Sequence, residues 1–173
     1  DPNSKIVVAG RSFSGTNYDF SLIRLNSDGT LDTSFDADGK VLMPVGSSDD
    51  VGQTVTLDPN GRIVVAGYSL NGANNDFSVI RLDSDGALDT SFDADGKVLI
   101  PVGSSQDLGR SVTLDPNGKI VVAGRSSNGT NYDFSLIRLN SNGSLDTSFG
   151  TSATNTPTAP VAYTENAPPV TLE

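Results

Sequence analysis

Apolar and polar residues alternate along Gly52-Gln-Thr-Val-Thr-Leu57, the signature of a β-strand. Asp58-Pro-Asn-Gly61 then turns the chain, because Pro presets φ at its position and Gly tolerates positive φ at the end. Arg62-Ile-Val-Val-Ala66 runs back, rich in β-branched residues, so the two segments predict a hairpin. A polar loop from Tyr68 to Asn75 leads to a third strand, Asp76-Phe-Ser-Val-Ile-Arg-Leu82, which is closed by the turn Asp83-Ser-Asp-Gly86. After a connection over Ala87 to Asp95, Gly96-Lys-Val-Leu-Ile-Pro-Val102 makes a fourth strand. Ile63 to Ala66 and Phe77 to Leu82 carry apolar residues on both parities, which predicts strands covered on both faces.

The pattern recurs. Asp-Pro-Asn-Gly-Lys-Ile-Val-Val-Ala-Gly or a close variant begins at Asp1, Asp58 and Asp115, giving a period of 57 residues. Residues 1–57 and 58–114 agree at 42 of 57 positions, and residues 115–150 agree with 1–36 at 30 of 36. Each unit is therefore one supersecondary module that buries its apolar faces on its neighbours. A four-stranded antiparallel sheet with both faces buried by its own copies is what a propeller blade requires. The expected fold is all-β, a β-propeller-like array of about two and a half to three blades. A β-solenoid rung is shorter than this period, and a tandem of small sandwiches asks two sheets and a core of a very short unit.

The expected organisation is blade repeats over 1–150 (units 1–57, 58–114 and a partial 115–150), then a Thr/Pro-rich linker and an edge strand within 151–173. Val170-Thr-Leu-Glu173 echoes Val112-Thr-Leu-Asp115, the strand that the first unit lacks. Three blades cannot close a ring, so the array is expected to be an arc that meets further blades of a longer parent chain or a second copy. The chain begins at Asp1 inside the pattern, and any export signal is expected on a longer precursor.

Composition narrows the function classes. Hydrophobic residues make up 35%, and 18 Gly and 9 Pro lie among Ser, Asn, Asp and Thr, a make-up suited to short strands and many turns. No apolar run approaches the roughly 18 residues of a membrane span, so no membrane insertion is expected. The formal charge of −10, without a basic stripe, argues against nucleic acid as a partner. With no His and no Cys, the usual general base, thiolate nucleophile and transition-metal ligands are all missing, and an enzyme is not expected.

Leu31-Asp-Thr-Ser-Phe35, Leu88-Asp-Thr-Ser-Phe92 and Leu145-Asp-Thr-Ser-Phe149, together with the Asp-Pro-Asn-Gly-Lys-Ile-Val-Val-Ala-Gly stretch, resemble the delta-60 repeat family over residues 1–150. That resemblance implies propeller blades of large bacterial surface or secreted proteins, an extracellular location at the bacterial cell surface, and a structural or adhesive role. The tail, Ala162-Tyr-Thr-Glu-Asn-Ala-Pro-Pro-Val-Thr-Leu172, resembles the opening of a cadherin-like or immunoglobulin-like adhesin module. Where the family has Gly after Ser-Phe, as at Gly150, the first two units carry Asp36-Ala-Asp38 and Asp93-Ala-Asp95.

Several residues are candidates for chemistry. Asp36 and Asp38, and Asp93 and Asp95, put oxygen ligands at alternate positions before Gly39 and Gly96, as in the first half of a calcium loop, to which Asp32 or Asp89 could add a carboxylate. Asp-x-Asp-Gly is equally a good turn, and no acidic residue stands where the bidentate twelfth ligand would be. Gly15-Thr-Asn-Tyr-Asp19 and its copies read as turns. Arg24, Arg81 and Arg138 sit in apolar strands and need anionic or carbonyl partners; Asp32, Asp89 and Asp146 are the natural ones by repeat logic, and an Arg ring receiving an anionic ligand is the sharper alternative. Tyr18 and Tyr132 fall in the variable loop between second and third strands, where tyrosine beside Asn, Asp and Gly stacks on a sugar ring, so a glycan is a candidate partner.

Overall fold

The computed structural model describes residues 3–150. Ten strands run through them: β1 (Ile6–Phe13), β2 (Tyr18–Leu25), β3 (Lys40–Met43), β4 (Asp50–Leu57), β5 (Ile63–Asn71), β6 (Asn74–Leu82), β7 (Lys97–Ile100), β8 (Asp107–Leu114), β9 (Ile120–Ser127) and β10 (Tyr132–Leu139). Among the described residues there is no helix, and so none long and apolar enough to cross a membrane. The strands form three antiparallel sheets in the orders β1-β2-β3, β4-β5-β6-β7 and β8-β9-β10. The middle sheet is a complete four-stranded blade; the first lacks the equivalent of β4 and the third that of β7 among the described residues.

Repeat and blade are out of phase. The unit boundaries at 57/58 and 114/115 fall in the β4–β5 and β8–β9 turns, so each sequence unit lends its last strand to the sheet of the next. In both, the first strand is bulged, with a register shift between Gly52 and Thr54 and between Gly109 and Ser111. The bulge presses a carbonyl onto the second strand: a Cβ on Gly67 would lie 1.9 Å from the Val51 carbonyl oxygen, and one on Gly124 2.2 Å from that of Leu108. Glycine is the residue that admits such an approach.

The apolar positions on both parities go to two separate cores. Phe20, Leu22, Val41 and Phe35 of the first blade pack on Ile63, Val65, Ile80 and Leu82 of the second. The opposite face of the second blade, Val64, Ala66, Phe77, Val79 and Phe92, packs on Ile120, Val122, Ile137 and Leu139 of the third. Adjacent residues of one strand thus serve different interfaces, as the strand period of two dictates. First strands of successive blades, β4 and β8, approach each other directly, whereas the short β7 pairs only at the far side of its sheet, so the blades converge at their first-strand edges.

Two expectations change. The stretch from Tyr68 to Asn75 is paired strand for most of its length, with Tyr68 opposite Phe77 and Asn71 opposite Asn74, leaving Gly72 and Ala73 as the turn. Gly72, at φ 71°, starts a two-residue hairpin connection, a conformation that costs glycine little. The fourth strand is shorter than read, Lys97–Ile100, because Pro101 has no N–H for a ladder. The linker and the tail strand at Val170–Glu173 lie outside the described residues.

Candidate functional site

The strand register separates two rims. One carries the Asp-Pro-Asn-Gly turns, the strand ends at Leu25, Leu82 and Leu139, and the Leu-Asp-Thr-Ser-Phe segments; the other carries the β1–β2, β5–β6 and β9–β10 tips.

At the first rim each unit builds one constellation around its arginine. Arg81 points from β6 toward the third blade, its Nε donating to Asp89 Oδ2 at 2.7 Å and Nη2 to Ser91 Oγ at 3.1 Å. The guanidinium lies 4.7 Å from the centre of the Phe92 ring, and Nη1 donates to the Ser141 carbonyl of the next blade at 2.5 Å. Arg24 repeats this with Asp32 at 2.8 Å, Ser34 at 3.2 Å, Phe35 at 4.6 Å and the Ser84 carbonyl. Arg138 keeps Asp146 at 2.8 Å and Phe149 at 4.5 Å, but its Nη1 turns to Asp115 Oδ2 at 3.4 Å in its own blade. The structure thus brings all three Arg–Asp pairs together.

Each of these carboxylates holds a second cation that sequence reasoning did not pick out. Lys5 Nζ lies 3.4 Å from Asp32, Arg62 Nη1 3.0 Å from Asp89 and Lys119 Nζ 2.7 Å from Asp146. A basic residue recurring after every Asp-Pro-Asn-x turn was the available signal. The acids are correspondingly strong. Hydrogen bonds from the Ser34 hydroxyl and N–H, with Arg24, hold Asp32 well below the usual carboxylate range. Burial pulls Asp89 up, but Ser91 and Arg81 outweigh it and hold the carboxyl at about 2. Lys119 first, then Ser148 and Arg138, hold Asp146 down.

Beside these clusters two crevices open between blades. One, of about 330 Å³, is lined by Asn60, Arg62, Arg81, Asn117 and Ser141; its counterpart one blade earlier includes Lys5, Arg24, Asp32, Asn60 and Ser84. The cations that line them are already paired with carboxylates.

The Asp-Ala-Asp-Gly loops also join blades. Asp36 and Ala37 adopt φ of 45° and 64°, and Asp93 and Ala94 of 48° and 67°, which curls each loop so that Asp36 N donates to the Asp85 carbonyl at 2.7 Å and Asp93 N to that of Asn142 at 2.8 Å. Asp38 and Asp95 accept from the N–H of Lys40 and Lys97, both at 2.9 Å. Asp32 and Asp89 face the arginines, and among the described residues no three acidic side chains gather into a metal-binding group.

At the other rim Tyr18 and Tyr132 begin β2 and β10 and are exposed. Arg11 lies 4.6 Å from the Tyr18 ring and Arg125 4.3 Å from the Tyr132 ring, and Phe13 meets Tyr18 edge-on at 5.6 Å. Below them sit buried acids that the sequence did not mark. Asp50 accepts from Val45 N at 2.7 Å and Gly46 N at 2.9 Å; Asp107 does the same for Val102 and Gly103. They pin the connection between one sheet and the next. Burial, opposed by Asn71 and assisted by the nearby Asp107, pushes Asp76 up.

The family model for a domain of unknown function (DUF5122) β-propeller matches residues 2–35, 59–92 and 116–149. The chain belongs to this propeller family. Each match runs from the Asp-Pro-Asn turn through two strands to the Phe of Leu-Asp-Thr-Ser-Phe, so the DUF5122 unit coincides with the part of each repeat that holds the Arg–Asp–Phe constellation. No curated protein matches the chain.

Proposed function

We propose that these DUF5122 blades form a rigid, non-catalytic scaffold segment of a large extracellular bacterial surface protein, with an adhesive role for its rims. The observation that carries this reading is that the richest chemical constellation in each complete interface joins one blade to the next: Arg24 and Arg81 each tie an acid, a hydroxyl and an aromatic ring of their own blade to a carbonyl of the following one. Functional groups held that way serve rigidity. The delta-60 resemblance supports the surface location. Antibody raised against the chain should label intact cells of the source bacterium, and labelling that appears only after permeabilisation would overturn the location.

A second reading rests on the exposed aromatic step of Phe13 and Tyr18 with Arg11 above it, which suits stacking on a sugar ring. Glycan-array binding lost on Tyr18→Ala and Tyr132→Ala would favour a binding module. Calcium is not part of the proposal, because among the described residues neither Asp36/Asp38 nor Asp93/Asp95 meets a third carboxylate and one member of each pair already caps a backbone N–H.

A further inference from the structure

We propose that the two blade seams at the strand-tip rim bind an acidic polysaccharide, with Arg11 and Arg110 taking its carboxylates. The inference rests on the glycan-binding reading and names the class of glycan. Gln53 and Arg110 are the extra residues of the two bulges, left out of the ladder between Gly52 and Thr54 and between Gly109 and Ser111. A bulge re-aims the side chain that it leaves unpaired. The bulged strand also presses on the preceding blade: a Cβ on Gly52 would lie 2.7 Å from the Gly10 carbonyl oxygen, and one on Gly109 2.4 Å from that of Gly67. Arg110 is thereby carried across the seam. Its guanidinium lies 5.5 Å from the centre of the Tyr68 ring, and its Nη1 donates to Gln53 Oε1 at 3.1 Å.

Each seam thus holds one guanidinium on one tyrosine, built from different positions. At the first, Arg11 covers Tyr18 at 4.6 Å within one blade. One repeat later Tyr68 stands in place of Arg11, Asn75 in place of Tyr18 and Arg110 in place of Gln53, so the ring comes from the preceding blade and the arginine from the following one. Asp49, which accepts from Tyr18 N at 2.9 Å, is replaced by Gln106, and the second seam loses an acid. The buried Asp50 and Asp107 are taken up by backbone N–H groups. Arg24 and Arg81 of the opposite rim are bridged to Asp32 and Asp89, whereas Arg11 and Arg110 are exposed and make no carboxylate bridge among the described residues.

A planar guanidinium offers a fork of donors that fits a carboxylate, and a tyrosine face beside it takes the apolar face of a sugar ring. A uronate residue presents both groups at once. Gln53 stands between the two stacks: it accepts from Arg110, and by the repeat period it lies against Arg11 as Arg110 lies against Tyr68. A polymer charged at successive sugars can therefore meet both arginines, and two linked contacts hold more tightly than one. With a formal charge of −10 the chain repels a polyanion as a whole, so capture has to be local to these seams.

The test is calorimetric titration of the full chain, in EDTA, with polygalacturonate, with its fully methyl-esterified form and with polyglutamate. Polygalacturonate should bind, and the uncharged ester and the sugar-free polyanion should not. Arg11→Gln and Arg110→Gln should each raise Kd about tenfold. Both residues are exposed, and Gln is what the preceding unit carries in place of Arg110, so both variants should melt like the wild type. Equal binding of acid and ester overturns the acidic class and leaves the glycan reading standing. Polyglutamate bound as tightly as polygalacturonate overturns the saccharide. Unchanged affinity in both variants overturns the site. Polygalacturonate that does not bind overturns the proposal altogether; a neutral glycan still captured on the array and lost on Tyr18→Ala would keep the glycan reading, and an empty array would remove that reading too.

Discussion

Arg81 shows how one side chain joins two blades. Removing it leaves Asp89 with Arg62 and Ser91, strands the Ser141 carbonyl and uncovers one face of Phe92. Breaking a buried pair costs about 3–5 kcal/mol, and at about 2–4 °C per kcal/mol Arg81→Ala should lower the melting midpoint by on the order of 10 °C. Arg81→Lys should rescue little, because an ammonium supplies neither the planar stack nor the fork. An alanine variant that melts like the wild type would deny the arginine its joining role. The depressed acids set a pH dependence. A carboxyl whose folded pKa lies below its unfolded value stabilises the fold above about pH 4, and that stability is lost as pH falls through the folded pKa. For Asp89 this means a decline between about pH 4 and its folded value of about 2, and Asp32 and Asp146, also held below the usual carboxylate range, add to the same loss on acidification. Asp76 has the opposite sign: its raised pKa makes its ionised form a cost that grows as pH rises. Asp76→Asn keeps an acceptor for Asn71 and should raise the melting midpoint at pH 7 while leaving it unchanged at pH 3; equal effects at both would refute the assignment. Melting in EDTA and in millimolar Ca²⁺ should give one midpoint, and a rise with Ca²⁺ would show that the Asp-x-Asp-Gly loops bind it.

At the level of the strand, the bulge is the demanding feature. Gly67→Ala would drive a methyl into the Val51 carbonyl, whereas Gly10, its equivalent in the first blade, where no first strand lies among the described residues, has nothing within 4 Å of a Cβ. Over-packing costs about 1–3 kcal/mol, so Gly67→Ala should unfold at clearly lower denaturant than Gly10→Ala, which should match the wild type; equal midpoints would place the bulge elsewhere. Most strands were legible because the period-two pattern is local. The Tyr68–Asn75 segment was misread because its outer residues are polar for a reason beyond the hairpin: Asn75 bonds Gln106 of the connection to the next blade, as Asn17 bonds the Ser48 carbonyl one blade earlier. Polar composition marked a seam between blades, and by itself it looked like a loop.

Over the whole molecule, the interiors lie between sheets, so no sheet holds a complete core alone. An excised unit of residues 58–114 carries three strands of one blade and the first strand of the next. It should therefore give a disordered far-ultraviolet spectrum, whereas the full chain melts in one transition; a folded fragment would contradict the shared interiors.

The sequence by itself determined the repeat, the hairpins, the all-β class and the demand that both faces of each sheet be covered, because these follow from periodicities of two and of 57 residues. It also pointed each arginine to the acid of its own unit, which lies eight residues away in chain order. Only the tertiary structure decided that the same arginine reaches a carbonyl 60 residues further on, that a second cation shares the acid, and that Asp50 and Asp107 are buried. The physical reason is that a backbone acceptor has no side-chain signature. Which carbonyl faces which guanidinium is fixed by how the sheets stack, and that geometry is written in no single residue.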